Sequence, residues 1–445
     1  MSDIVTNKSD APIKARTLWT WEFSNEWTLN QLGAQNVGAS NYYSRLPETF
    51  ISDYTKLFKW CGQHDIDAVV MWGMLRDSHG GVESAKKLCD VANENNVKLL
   101  CGVGLNAYGG VYYEGDSEYS LQKHLIANPE LYGIDADGNK MIYGFGVGGP
   151  CITHHACPSR KENQEFTVES LEWLFKTIPG LGGVQMETGD TGVCLCERCR
   201  ERRHRPTSML SWEDMALMFP MSVDAIRSVN PDAFIICETY SHPEKRDDSE
   251  VASGFGDGRP LWSDECLDQF PEGVYVQWAG DRYCEPYSEH IWTDAGTIND
   301  TRRHHIMRSH HATYNFNGLR REVAFDWMAG LVQQSIAHGM DCTSIFGEVS
   351  TFHTGAELNY LALQNYGSAS NPTADVDIFL RDVAAPLLGG EDAAHDYLKY
   401  ARMRSNPELV PVALKAIYSY CAKLEAEPAR RWAWLANFLS STVYE

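Results

Sequence analysis

Basic charge is scarce in this chain, with 38 Lys and Arg against 60 Asp and Glu and a formal net charge of −22. A surface of that sign repels nucleic-acid phosphates and anionic membranes, so neither is an expected partner. Long apolar runs are missing too, and no stretch approaches the length needed to cross a bilayer. Residues 1–16 mix Asp, Lys, Ser and Pro without an apolar segment, so they read as a tail with no secretory signal, and the expected location is cytoplasmic. No internal repeat or low-complexity tract occurs, which excludes a solenoid or a propeller. Thirteen cysteines, an odd number spread through apparent strands and helices, are expected as reduced thiols and not as a disulfide framework.

What is present fits a large globular protein. Hydrophobic residues at 43% and charged residues at 22% permit a sizeable core. The length of 445 residues suits one large barrel with an extension, or two ordinary domains. The pattern chooses between them. Short apolar runs alternate with amphipathic helical segments, the signature of parallel β/α units. Strands are expected at residues 17–23, 68–74, 97–104, 183–187, 233–238, 274–279, 306–314 and 342–348. Eight is the number of a (β/α)8 TIM barrel. Helical spacing marks residues 50–64, 81–95, 165–177, 211–229 and 324–338. Asn95-Asn96 and Asn230-Pro231-Asp232 supply turn chemistry from a helix into the next strand.

One connection is far longer than a plain turn. Residues 105–160, rich in Gly and Tyr, follow strand three on the rim where βα loops build active sites, and read as a substrate-covering lid. After strand eight, helical patterns at 356–366, 373–388, 392–403 and 411–444 form a C-terminal extension. The expected organisation is a tail at 1–16, a barrel at 17–355 and a helical region at 356–445 packed on it.

In such a barrel the C-terminal ends of the strands point into the catalytic mouth. Here those ends are acidic: Glu187 and Asp190 after strand four, Glu238 on strand five and Glu348 on strand eight. Clustered carboxylates repel one another and lose solvent, which raises the pKa of at least one member and yields an acid near neutral pH. Glu187 is the expected acid, with Glu238, Glu348 and Asp190 as candidate partners; a single such residue can equally bridge to an Arg or cap a helix, but several together favour chemistry. Around them stand aromatic and polar residues of the kind that stack on a pyranose face and bind its hydroxyls. These are Trp21 and Glu22 on strand one, Trp72, Arg76 and His79 at strand two, Asn106 and Tyr108 after strand three, and Trp278 on strand six. The last candidates are His310 and Tyr314 near strand seven, where His304-His305 and His310-His311 cluster. Adjacent strand residues face opposite sides, so at most one of His310 and His311 faces the mouth.

Cys194-Leu-Cys196-Glu-Arg-Cys199 follows strand four directly, with His155 and Cys157 upstream and His204 downstream. Three thiols in six residues resemble part of a tetrahedral zinc site, although no second C-x-x-C exists. Structural zinc, packed free thiols and a catalytic or redox metal all stay open. No cofactor is expected for catalysis.

The segment Gly183-Val-Gln-Met-Glu187-Thr-Gly-Asp190, with Gly192 and the three cysteines after it, resembles a segment of glycoside-hydrolase-like TIM-barrel proteins similar to α-glucuronidases and hexosaminidases. Further likenesses are Asn128-Pro-Glu-Leu131, Asp137-Gly138, Ala156-Cys-Pro-Ser159 and Glu357-Leu-Asn-Tyr360. The resemblance implies a barrel, activity on a glycan and an acid where Glu187 stands. Hexosaminidases that use the substrate's acetamido group carry Asp-Glu at this strand end, whereas Met186 precedes Glu187 here, so the second carboxylate has to come from elsewhere.

Three function classes follow. The first is a glycosidase acting on a small saccharide or glycan end, with carboxyl separation deciding retention or inversion. The second is a metal-dependent sugar lyase or isomerase with a histidine base from the 304–311 region. The third is a carbohydrate-binding barrel without chemistry, disfavoured because burying several acids costs stability that mere binding does not require. A carbohydrate is the expected partner, and homo-oligomerisation stays open.

Overall fold

A computed structural model describes residues 11–21, 25–27, 35–37, 47–145, 151–188, 192–203, 211–239, 267–279, 297–309, 323–347 and 354–441. Eight parallel strands close into a barrel: β1 (Ala15–Trp21), β2 (Ala68–Trp72), β3 (Lys98–Gly104), β4 (Gly183–Glu187), β5 (Phe234–Glu238), β6 (Tyr275–Ala279), β7 (His304–Ser309) and β8 (Cys342–Phe346). Each strand pairs with its sequence neighbours, and β8 closes on β1 through the register Ala15↔Cys342 to Trp19↔Phe346. The cause is the residue choice. Runs such as Ala-Val-Val-Met-Trp in β2 and Phe-Ile-Ile-Cys-Glu in β5 are buried along their whole length, as strands covered on both faces must be.

The outer layer is α1 (Pro47–Gln63), α2 (Gly81–Glu94), α3 (Lys161–Thr177), α4 (Trp212–Val229), α5 (Phe325–Ala337) and α6 (Gly355–Asn365). Ser211 caps α4 by accepting a hydrogen bond from the Asp214 amide at 3.2 Å. Asn96 adopts φ 56°, the left-handed turn that ends α2 and launches β3, and Asn230 accepts from the Asp232 amide at 3.2 Å before β5.

Several boundaries differ from expectation, the first strand among them: it runs Ala15–Trp21, two residues earlier than 17–23, and so takes Ala15 and Arg16 out of the expected tail. The seventh strand begins at His304, two residues early, because the His304 imidazole pairs with Asp341 and needs no apolar neighbour to hold it; residues 310–314 lie outside the described part. The expected helix at 411–444 is instead two, α8 (Val410–Lys423) and α9 (Ala426–Ser441), after α7 (Glu391–Arg402). The break falls at Leu424, whose extended backbone turns its side chain onto Gly389.

The C-terminal helices share one apolar core with the barrel wall, Trp432 and Leu439 included. Buried Arg431 of α9 clasps Glu357 of α6 through two hydrogen bonds of 2.8 and 2.9 Å. Asn359 accepts from the Ala324 amide at 2.9 Å, and the Tyr360 hydroxyl fills the space where a Cβ on Gly347 would stand. The Glu357-Leu-Asn-Tyr360 segment is therefore a packing element behind β8.

Residues 105–145 and 151–160 form an ordered insertion. It carries a short helix (Leu121–Ala127) and an antiparallel pair, Ile142–Phe145 with Cys151–His154, over a small core of Leu121, Leu125, Leu131, Tyr132 and Ala156.

Candidate functional site

The mouth is set by strand alternation. On β6, Gln277 faces the barrel interior, where its side-chain amide donates to Glu238 Oε2. Trp278 must then face outward. Its indole donates to His305 Nδ1 at 3.1 Å in the layer behind the strands, and it is fully buried there. Trp278 is thus no candidate for sugar stacking; the period of two puts it on the wrong side.

Glu187 and Glu238 end adjacent strands, β4 and β5, and each is about 1% exposed. Glu238 Oε2 accepts from Arg308 Nη1 at 3.0 Å and Gln185 Nε2 at 3.4 Å as well as from Gln277. Charge-assisted donation from a guanidinium and two amides suits a carboxylate acceptor. Sequence reasoning offered Gln277 only as a sugar-binding rim residue beside Trp278, and missed Arg308 and Gln185. The signal available was alternation: Gln185 stands two residues before Glu187, and Arg308 two after Ile306, on faces that point inward.

The opposite wall is aromatic. Trp19 and Trp72 meet edge to face with centroids 6.3 Å apart, and the Arg308 guanidinium lies 4.6 Å over the Trp19 ring. Trp72 fits inside because β3 carries Gly102 alongside it; a Cβ there would come within 2.4 Å of the indole. Tyr108 meets the far edge of Trp72 at 6.0 Å, from a backbone with φ 51° whose amide donates to Thr153. Asn106 reaches across to the end of β4, its Nδ2 donating to the Thr188 carbonyl at 3.1 Å. Its buried Oδ1 accepts nothing among the described residues.

Several expected sugar contacts serve the scaffold. His79 stacks on Phe50 of α1 at 4.5 Å. Arg76 pairs with Glu114 and lies 5.5 Å over the Tyr113 ring, while Asp77 accepts from the Tyr112 hydroxyl at 2.5 Å and the Asp116 amide at 2.7 Å. Arg76 and Asp77 bind the insertion to the β2 loop. Asn106 meets the residue that follows Glu187, and Tyr108 meets Trp72. Glu22, Asp190, His310, Tyr314 and Glu348, and the Trp21 side chain, lie outside the described part.

His304 and His305 begin β7 and so sit at the end of the barrel remote from the mouth. His304 Nδ1 lies 2.6 Å from Asp341 Oδ2, and that hydrogen bond raises its pKa against the opposing effect of burial. Burial would raise Asp341, but its bonds from His304 and the His305 amide bring it below the usual carboxylate range. Neither histidine can serve as a base on a ligand in the mouth.

Several solved structures have chain paths similar to this one. A glycoside hydrolase family 20 β-N-acetylglucosaminidase matches with 11% identity over 86% of this chain and 76% of its own, at a TM-score of 0.47. The β-N-acetylhexosaminidase from Bacteroides fragilis matches with 12% identity over 79% of this chain, at a TM-score of 0.44, and this chain spans 65% of its length. The α-amylase from Geobacillus thermoleovorans has 12% identity over 82% of this chain and 79% of its own, at 0.45. No family model matches the sequence, and no curated protein does. The barrel stands on this chain's own strand order. Among the described residues, no helix is long and apolar enough to cross a membrane.

The cysteines after β4 gather with one more. Cys157, Cys194, Cys196 and Cys199 place their sulfurs within 4.8 Å of one another. His155 instead turns its Nδ1 to the Ala156 carbonyl at 2.9 Å.

Proposed function

We propose that the chain is a glycosidase acting on a small saccharide or glycan end. The observation that carries this reading is the pair of buried carboxyl groups, Glu187 and Glu238, ending adjacent strands in one mouth. Hydrolysis of a glycosidic bond needs one carboxylic acid to protonate the leaving oxygen and one carboxylate as nucleophile or base. Because Glu238 already accepts from Arg308 and two amides, the proton-carrying role is assigned to Glu187. The carboxylate partner is one of Glu348, Asp190 and Glu238. Trp19 and Trp72 form the buried aromatic wall beside these carboxyl groups, and Asn106 carries an amide oxygen suited to a hydroxyl. The insertion after β3 suits a pocket for a chain end and not an open cleft.

The test is cleavage of a panel of aryl glycosides by the wild type and by Glu187→Gln, Glu238→Gln and Glu348→Gln, with folding followed by circular dichroism. The expected result is cleavage of one glycoside class, at least about 100-fold slower in folded Glu187→Gln, in line with loss of a general acid. Turnover of no glycoside by the wild type, or an unaffected Glu187→Gln, overturns the reading.

A further inference from the structure

The four-sulfur cluster lies where the end of the insertion meets the segment that continues from β4. Cys157 Sγ is 3.6 Å from Cys196 Sγ and 3.5 Å from Cys199 Sγ. A disulfide bond brings sulfurs to about 2.05 Å. A tetrahedron with metal–sulfur bonds of about 2.3 Å has edges of about 3.8 Å, close to the spacing observed. Cys157, Cys194 and Cys199 are buried and Cys196 is half-buried. Cys157 comes from the end of the insertion, Cys194 from the segment after β4, and Cys196 and Cys199 complete a C-x-x-C, so the spacing that looked incomplete along the sequence closes in space.

The surroundings are built for sulfur carrying negative charge. The Ile134 amide donates to Cys194 Sγ at 3.3 Å, and Ser159 Oγ lies 3.1 Å from Cys199 Sγ. Arg203 donates to the Cys194 carbonyl at 2.5 Å while paired with buried Asp214, which fixes the loop that presents the ligand. Such outer contacts orient metal-bound thiolates. Without a cation, several thiolates buried together would repel one another and lose hydration with nothing to offset it.

We propose that Cys157, Cys194, Cys196 and Cys199 bind one zinc ion in a closed, structural site that clamps the insertion to the segment following Glu187. Four protein ligands leave no open coordination position, so this ion holds structure and does not touch substrate. The neighbouring backbone bond from the Leu195 amide to the Ile134 carbonyl, 2.6 Å, runs across the same junction.

The proposal is tested on the full chain, independently of any glycosidase assay. Elemental analysis of protein purified without chelator is expected to give about one zinc per chain. Titration of folded wild type with a mercurial should release that zinc as the thiols react, followed with a colorimetric zinc indicator. Cobalt added in place of zinc should give the intense absorption of a tetrahedral thiolate complex. Cys196→Ser should lose most of the zinc, whereas Cys421→Ser, whose sulfur contacts the Ala429 carbonyl in the C-terminal helices, should keep it. Should Cys196→Ser fail to fold, the mercurial and cobalt experiments on wild type still decide. Metal-free wild type with four reactive thiols overturns the proposal, as does a disulfide found by mass spectrometry or iron bound in place of zinc.

Discussion

Arg308 donates to Glu238 across the barrel interior at 3.0 Å, and both side chains are fully buried. Arg308 thereby joins the acidic wall of β4 and β5 to the aromatic wall, since its guanidinium also covers Trp19. A buried pair of this kind adds little net stability over an apolar pair, but removing one member leaves an uncompensated charge. Arg308→Met should therefore destabilise the fold by about 3–5 kcal/mol in urea unfolding. The double variant Arg308→Met, Glu238→Leu should recover much of that loss. An Arg308→Met protein as stable as the wild type would show that the pair is not the charge balance of the mouth.

Gly102 sets the position of Trp72. An added Cβ would fall 2.4 Å from the indole, and the indole is boxed in by Trp19 and Tyr108. Gly102→Ala should cost about 1–3 kcal/mol by overpacking and move Trp72, measured as a fall in Tm and a changed near-ultraviolet dichroism. Pairing it with Trp72→Leu should relieve most of the cost. Equal losses in the presence and absence of the indole would point to the backbone instead.

The His304–Asp341 pair makes stability depend on pH. His304 has its pKa raised by Asp341, so its contribution is complete below the unfolded value of about 6.5 and is lost as pH rises through the folded one. Asp341 has its pKa lowered on balance, so its contribution is present above about 3.9 and is lost as pH falls through the folded value. Both are therefore in force near pH 5. His304 is almost half exposed, so His304→Gln should cost less than about 1 kcal/mol at pH 5 and still less at pH 9. A cost that does not change between these two pH values contradicts the pairing.

Glu357 and Arg431 fasten the C-terminal helices to the barrel. Glu357→Leu leaves the Arg431 guanidinium buried without this partner and should lower stability by about 3 kcal/mol. The proposed glycosidase activity, measured on the remaining folded fraction, should stay at the wild-type level per active molecule, because the pair lies behind β8. A selective loss of activity with unchanged unfolding would place Glu357 in the chemistry.

Most of the eight strands were legible in the sequence because they are short apolar runs with turn residues around them, and both faces of a barrel strand are buried; the seventh, with only Ile306 and Met307 apolar, was expected two residues late. The acidic strand ends were legible for the same reason, since Glu187 and Glu238 terminate runs that are otherwise apolar. Which way a side chain faced at the rim was not. Gln277 and Trp278 are neighbours, and only the register of β6 between β5 and β7 turns the amide inward and the indole outward. Arg308 looked like an ordinary basic residue until closure of the barrel set it against Glu238.

The sequence by itself determined the local matters: where strands and helices run, where the insertion begins, and that carboxyl groups and thiols follow β4. Only the tertiary structure decided the pairings that span distance. Cys157 joins Cys196 across 39 residues and Arg308 joins Glu238 across 70, contacts that exist because a closed barrel and a folded-back insertion bring remote segments together. Periodicity records which face of one element is apolar; it carries no record of which other element that face will meet.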